Sequence, residues 1–335
     1  MIPSDRPPMS PPVAGALPAA GLDALRSGLE NIGPVVVAFS GGADSAFLAW
    51  VATDTLGVDQ VRCVTAVSPS LAREELADCR ALAAEWGLHL TEVPTDELAD
   101  PAYSSNDGSR CYHCKSSLMD ALAPLADPDR GGRRATVVLG VNLDDLGDHR
   151  PGQQAAAERG ARFPLVEAGL TKADVRSWSR SLGLRTWDKP AAACLASRVP
   201  YGTPVSLRTL GMVADAESGL RSLGFTQLRV RHYGDTARIE VPTEDLAAVV
   251  DRHRAVSDAL HRAGYRYVTL DLDGFRSGNL NLALSVGVPG SAGLSAGAGG
   301  PAVSAEPTGV PAVSAEPTGV PAVSAEPTPV PGGHR

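Results

Sequence analysis

The chain has 335 residues, 43% of them hydrophobic, which suffices for one large core or two modest ones. A formal net charge of −8 and a pI of about 5.4 repel polyanions at long range, so bulk nucleic-acid binding is disfavoured and would need a local basic patch. The first twenty residues lack the basic and continuous apolar regions of a signal peptide, and no stretch supplies the roughly twenty uninterrupted apolar residues of a membrane span, so the expected location is cytoplasmic, away from membranes. Thiols stay reduced there, and five cysteines, an odd number, make no disulfide framework.

Residues 1–19 are Pro-rich and expected to be disordered. The first ordered domain is expected over 20–200. Its short runs of β-branched residues at 35–39, 61–67, 88–93 and 135–141 are too continuously apolar for a half-exposed antiparallel sheet. Helical patterns at 45–56, 70–86 and 111–126 lie between them, and 171–183 adds another, with Thr171 as N-cap and Asp174 as its capping-box partner. The expected fold class is α/β, a parallel doubly wound sheet with helices on both faces. After "YGTP" at 201–204 the pattern becomes helix (206–223), strand "QLRVRH", strand "ARIEV", helix (244–263) and strand "YVTLDL". That predicts a smaller C-terminal α+β domain over 201–284, built on an antiparallel sheet and serving substrate binding or self-association. From 285 onward the chain is Gly, Ala, Ser and Pro with a ten-residue repeat, "PAVSAEPTGV", and reads as a disordered tail.

The first predicted strand runs directly into "SGGADS", residues 40–45, and then a helix. Gly41 and Gly42 allow positive φ and expose bare N–H groups, Ser40 and Ser45 add hydroxyls, and the helix N-terminus adds a positive dipole. This is an anion cradle. It is not a Walker A loop, having no lysine, nor a dinucleotide fingerprint, having no third glycine. An ordinary strand-to-helix turn capped by Asp44 or Ser45 would look similar in isolation. The loop resembles that of the PP-loop ATP pyrophosphatases, and the resemblance implies that it holds the pyrophosphate of ATP while a substrate oxygen is adenylylated. An attack on the α-phosphate needs the β,γ unit held by amides and Mg²⁺, and Asp44 is the carboxylate nearest that cation.

"RCYHCK", residues 110–115, places Cys111 and Cys114 three positions apart. Such a pair serves a redox couple, part of a zinc site or part of an iron–sulfur cradle. Cys63 falls in a predicted buried strand and Cys79 in an amphipathic helix, both expected to pack in the core. Cys194 lies in the aperiodic segment "WDKPAAACLASRVPYG" where the first domain ends, a junction where chemistry often resides.

In order, "SGGADS", "RCYHCKSSL", "GVNLDDLGDHRPG", "PLVEAGLTKADVR" and "WDKPAAACLASRVPYGTP" resemble the LarE family, the ATP-dependent sulfur transferases that make the nickel-pincer cofactor of lactate racemase. The resemblance spans roughly residues 20 to 281. It implies a small nucleotide substrate, a pyridinium dicarboxylate mononucleotide whose carboxylates are adenylylated and converted to thiocarboxylates, and indirect partnership with the other lactate racemase maturation proteins. Two modes of sulfur supply occur in the family. A lone cysteine at the position of Cys194 surrenders its sulfur and becomes dehydroalanine, or that cysteine joins the pair to hold a 4Fe-4S cluster. This chain has Cys111, Cys114 and Cys194, and three thiolates leave one iron open to hydrosulfide. The cluster is therefore favoured, ahead of a sacrificial Cys194 and of zinc, for which His113 inside the pair is awkwardly placed.

A substrate with two carboxylates and a phosphate needs fixed cations. Arg198, after the cysteine loop, and Arg229 and Arg231, alternating along "QLRVRH", are the candidates, with Ser197 as a hydrogen-bond donor in the same pocket. A solvated strand face is the bland reading of the arginine pair. Asp145 and Asp148 follow the strand at 135–141 and would help hold magnesium or the nucleotide, or Asp148 would pair with Arg150 to fix the turn. Glu217 lies inside a predicted helix; the resemblance allows it a role in metal binding or activation, and a solvent-facing carboxylate is the commoner explanation. Two rival functions share parts of this pattern: a tRNA thiolase, which needs an RNA-binding face that the acidic balance does not supply, and a non-catalytic nucleotide sensor with structural zinc. The physiological sulfide donor and any homo-oligomeric state are not written in the sequence.

Overall fold

The computed structural model describes residues 19–127, 134–147 and 151–276. The Pro-rich start, the C-terminal repeats, Asp148 and Arg150 lie outside the described residues. In chain order the first part runs α1 (Ala19–Ile32), β1 (Val35–Ala38), α2 (Ala43–Leu56), β2 (Val61–Val67), α3 (Arg73–Trp86), β3 (Leu90–Pro94), α4 (Pro101–Ser104), α5 (Arg110–Ala126), β4 (Thr136–Leu139), α6 (Pro151–Glu158), α7 (Pro164–Glu167) and α8 (Lys172–Ser181).

The four strands form one parallel sheet in the order β3-β2-β1-β4, with Val35 opposite both Val61 and Thr136. Because side chains alternate along a strand, Val35 and Val37 face a core made with α1, α2, α3 and α8, whereas Val36 and Val64 face α5 and α6. Helix α2 is buried along most of its length, and its alanines let it lie close to the strands; Phe47 and Leu48 are fully buried, each worth about 1.5–3 kcal/mol. The expected capping box of α8 is present, Thr171 accepting from the Asp174 amide while the Asp174 carboxylate accepts from the Thr171 amide. From β1 the chain winds outward to β2 and β3, then returns to β4 on the other side of β1. The order therefore reverses between β1 and β4, and in open α/β sheets ligands bind in the crevice beyond the C-terminal ends at such a point.

The second part comprises α9 (Leu207–Ser222), β5 (Arg229–Tyr233), β6 (Thr236–Glu240), α10 (Leu246–Asp251), α11 (His253–Arg262) and β7 (Tyr267–Leu270). The sheet is mixed and not purely antiparallel as predicted. β5 and β6 form an antiparallel hairpin, but the helical crossover through α10 and α11 returns β7 parallel to β6. The single helix expected over 244–263 is split at Arg252 (φ −101°, ψ 19°), whose guanidinium lies over the Phe225 ring. This sheet has its own core of Leu220, Val230, Ile239, Leu260 and neighbours. A fourth apolar cluster, Tyr103, Leu195, Ala196, Val199, Val205, Leu210 and Val213, includes residues of the loop that follows Cys194. All described residues belong to one compact unit.

Candidate active site

The loop after β1 is shaped by what approaches it. Gly41 has φ +67°, and a Cβ there would stand 2.9 Å from the Cys79 sulfur, so the position takes glycine for both reasons. Gly42 occupies the N-cap of α2 without a side-chain cap, leaving the first amides of that helix free for an anion. Ser45 Oγ accepts from the Ser40 amide at 3.2 Å, donates to the Gly42 carbonyl at 3.2 Å and lies 3.0 Å from Ser40 Oγ, closing the loop into a ring. A cleft of about 220 Å³ opens beside it between the ends of β1, β2 and β4, lined by Ser40, Ser45, Thr65, Lys115 and Gly140 among others. A larger cavity of about 410 Å³ by Met119, Arg134 and Arg159 contains none of the predicted site residues.

Gly140 ends β4 against this loop. A Cβ there would lie 2.7 Å from the Ser45 nitrogen and 2.8 Å from the Asp44 carbonyl carbon, both backbone atoms that cannot swing aside. Gly140→Ala should therefore push the first turn of α2 away, destabilising the protein by about 1–3 kcal/mol and weakening ATP binding at least roughly tenfold. Denaturant melts and an ATP titration of the same sample check this. Undiminished nucleotide affinity would show that the close approach is irrelevant to the loop.

Asp44 projects from the first turn of α2 and accepts hydrogen bonds from Asn142 Nδ2 at 3.1 Å and from Lys172 Nζ, the latter also an ion pair. Lys172 opens α8, and its amide donates to Asp144 at 2.9 Å; the Asp145 carboxylate accepts from the Asn142 amide at 3.2 Å. The loop after β4 and the start of α8 thus converge on Asp44. Lys172 already compensates the Asp44 carboxylate, so a divalent cation held there would share that carboxylate with the ammonium or displace it.

Lys189 ties this loop to the cysteine segment. Its half-buried ammonium donates to the Gly41 carbonyl at 3.1 Å, Glu75 at 2.9 Å and Asp78 at 2.7 Å. Burial alone would lower its pKa, but the hydrogen bonds to Asp78 and Glu75 outweigh it and hold the pKa above the usual lysine value. Five residues later Cys194 is the exposed N-cap of a short 3-10 turn, Leu195–Arg198.

That turn is gripped through its carbonyls. Arg110 Nη1 donates to Ala196 O at 2.8 Å, Arg231 Nη1 to Ser197 O at 2.8 Å, and Arg198 Nη1 to Ala193 O at 2.6 Å and Cys194 O at 3.2 Å. Arg198 Nη1 also donates to Ser197 Oγ at 3.0 Å. Cys111 is exposed and Cys114 half-buried on the first turns of α5, while Cys63 and Cys79 are buried in the core as expected. Burial pushes the Cys114 thiol up to about 12, with Cys194, Glu97 and Cys111 adding to the shift. Cys194 and Cys111 likewise act together on Arg110. Arg110 bridges from the first turn of α5 to Ala196 O, and Cys114 packs against the cluster that contains Leu195 and Ala196, so the three cysteines share one neighbourhood, and as a donor set they fit an iron–sulfur cluster with one iron lacking a protein ligand. Among the described residues, however, no three metal-binding side chains stand close enough to form a ready metal cage, so the favoured cluster site is not preformed.

The predicted cations have partners. Arg198 pairs with Glu217 through two nitrogens, at 2.8 and 3.2 Å, and Arg231 with Glu240 at 2.9 and 3.0 Å. Arg229 stacks over Phe275, 4.5 Å from the ring centroid, and among the described residues makes no ion pair with a carboxylate; burial, then Arg198 and Arg231, pull its pKa below the usual arginine value. Glu217 is fully buried and accepts from Arg198, Arg221 and the Val230 amide, which corrects the expectation of a solvent-facing carboxylate. The periodicity of α9 carries the signal: Leu210, Val213, Glu217 and Leu220 share one buried stripe. Glu217→Ala would strand Arg198 in the interior and should cost about 3–5 kcal/mol in a urea melt, because an uncompensated buried charge is far costlier than a lost surface pair.

Lys172, Lys189, Arg110 and Gly140 carry much of this geometry without having been singled out by pattern. Each acts on residues far away in sequence, and no local spacing marks such a contact.

Known proteins resemble this chain in sequence. Residues 23–113, which contain the glycine loop and Cys111, match the NAD synthase family. An uncharacterised protein of Synechocystis is 46% identical over 79% of this chain and 98% of its own length. The pyridinium-3,5-bisthiocarboxylic acid mononucleotide synthase of Lactiplantibacillus plantarum is 39% identical over 78% of this chain and 94% of its own. An uncharacterised protein of Methanocaldococcus jannaschii is 25% identical over 72% of this chain and 91% of its own. A likeness to the synthase that runs through both sheets, joined to a PP-loop fold, shows that the chain belongs to the LarE family of ATP-dependent sulfur transferases.

Proposed function

We propose that this protein adenylylates the carboxylates of pyridinium-3,5-biscarboxylic acid mononucleotide and converts them to thiocarboxylates, a step of nickel-pincer cofactor synthesis. The observation that carries the proposal is the Lys189 bridge: the segment bearing the exposed Cys194 is anchored on the carbonyl of Gly41 in the glycine loop, which supports a coupling of carboxylate activation to sulfur delivery.

The amides at Gly41, Gly42 and the start of α2, with the Ser40 and Ser45 hydroxyls, bind the β,γ-phosphates. Asp44 helps hold Mg²⁺, and Lys172 beside it supplies a second positive charge. A substrate carboxylate oxygen attacks the α-phosphorus, forming the acyl adenylate as the bond to pyrophosphate breaks. Arg229, lacking a carboxylate partner among the described residues, binds the phosphate or a carboxylate of the mononucleotide. Arg198, Arg231 and Ser197 hold the Cys194 turn in place, which gives the two arginines a positioning role beyond the anion binding suggested by their strand and loop positions.

Cys111, Cys114 and Cys194 would hold a 4Fe-4S cluster. When bound, such a cluster supplies an iron free of protein ligands at which external sulfide is presented to the acyl carbon, with AMP as leaving group. The second reading has Cys194 attack the acyl carbon itself; AMP leaves, and loss of the Cα proton with cleavage of the Cβ–S bond yields the thiocarboxylate and dehydroalanine. The exposure of Cys194 and the absence of a ready metal cage among the described residues favour keeping it.

The test is pyrophosphate release from ATP in the presence of the mononucleotide or of bulk tRNA, with product mass recorded. Release driven by the mononucleotide, with sulfur replacing oxygen in the product, is expected. Release driven only by tRNA would assign the protein to RNA thiolation, and no release with either would leave it a nucleotide-binding protein.

A further inference from the structure

Between α4 and α5 stands an unusual residue. Asn106 is fully buried and has φ +58°, the one non-glycine with positive φ among the described residues, in a left-handed conformation that asparagine adopts more readily than most side chains and that its contacts hold in place. Its side chain supplies those contacts. Nδ2 donates to Pro200 O at 2.8 Å and Thr203 O at 2.8 Å, with a longer contact to Val199 O at 3.4 Å, while Oδ1 accepts from Arg110 Nη1 at 2.5 Å. The Asn106 carbonyl also accepts from the Gly202 amide at 3.0 Å, and the Ser104 carbonyl accepts from the Val205 amide at 2.9 Å.

Arg110 continues the contact toward the thiols. It is 3% exposed, begins the helix that carries Cys111 and Cys114, and reaches across to Ala196 O, two residues from Cys194. Its guanidinium also lies 5.6 Å from the Tyr201 ring centroid. The two side chains together engage carbonyls at 196, 199, 200 and 203, most of the strand of loop that follows Cys194. None of these bonds reaches the glycine loop, which the Cys194 segment meets separately through Lys189.

We propose that Asn106 and Arg110 form a latch that positions the Cys194 turn against the Cys111–Cys114 helix, so that thiols distant in sequence can act on one sulfur species. Both are positioning residues: they touch the loop backbone, not the reacting atoms. The latch deepens the sulfur-transfer reading and rests on it for what the thiols do, but its own test needs neither ATP, nor the mononucleotide, nor iron. A reading that failed for want of pyrophosphate release would leave the latch measurement untouched, and the reverse.

The full-length apo protein is treated under reducing-agent-free, anaerobic conditions with dibromobimane, which joins two nearby thiols, and the cross-linked peptides are quantified by mass spectrometry. Cross-links from Cys194 to Cys111 or Cys114 report the latch. The Cys111–Cys114 cross-link, made within one helix, reports whether that helix survives. Arg110→Lys keeps the charge but loses the planar fork, and Asn106→Gly keeps access to positive φ but loses the side chain. In both, the Cys194 cross-links should fall at least tenfold relative to wild type while the Cys111–Cys114 product stays within about twofold. Wild-type levels of the Cys194 cross-links in either variant, no such cross-link in wild type, or parallel loss of both products in Arg110→Lys would overturn the latch.

Discussion

Cys194→Ala should retain pyrophosphate release driven by ATP and the mononucleotide, within about threefold of wild type for the first turnover, while thiocarboxylate formation falls by at least about 10³-fold. The split follows from the geometry. The ATP loop is built from Ser40, Gly41, Gly42 and Ser45 and braced by Lys189, Gly140 and Asn142, none of which needs the Cys194 side chain. The Cys194 turn is held by its carbonyls, through Arg110, Arg198 and Arg231, and these bonds persist when the side chain is shortened. Both proposed sulfur routes use Cys194, as a cluster ligand or as the donor itself. Equal loss of both activities would show that Cys194 shapes the ATP site; full thiocarboxylate formation would remove it from the chemistry. Single-turnover quench experiments separate the two steps.

Asp44→Asn should act on the other half-reaction, lowering kcat/KM for pyrophosphate release about 10²- to 10³-fold. Asparagine keeps the shape but loses the charge that the cation and Lys172 require. Because the Asp44 side chain is 20% exposed and Lys172 32%, the lysine can turn to solvent, so the thermal midpoint should move little. Raising Mg²⁺ should recover part of the loss if the defect is cation binding. A variant with wild-type turnover would detach Asp44 from the metal.

The parts of this protein legible in sequence are those fixed by local pattern. Four apolar β-branched runs marked the parallel sheet, a Gly-Gly turn with flanking serines marked the anion loop, and Thr171 with Asp174 marked the start of α8. Cys63 and Cys79 could be assigned to the core from their places in apolar segments, and both are buried. What the pattern left out depends on contacts across long stretches of chain. Lys189 meets Gly41 from 148 residues away, and Lys172 meets Asp44 from 128 away, distances over which sequence spacing carries no information. Arg231 alternated correctly with Arg229 along β5, yet alternation could not tell a surface-facing pair from one committed to Glu240 on the neighbouring strand. The mixed order of the second sheet was likewise hidden, because it is the helical crossover between β6 and β7, not the strand sequences, that sets their direction.

The most direct test of the account counts thiocarboxylate groups formed per chain by protein reconstituted with iron and sulfide in the absence of oxygen, given ATP, the mononucleotide and excess sulfide, with iron measured on the same sample. Many products per chain, about four irons per chain and an unchanged mass at Cys194 are the predicted result. At most one thiocarboxylate per chain, with the Cys194 peptide lighter by one hydrogen sulfide, would contradict it and make the cysteine itself the sulfur source.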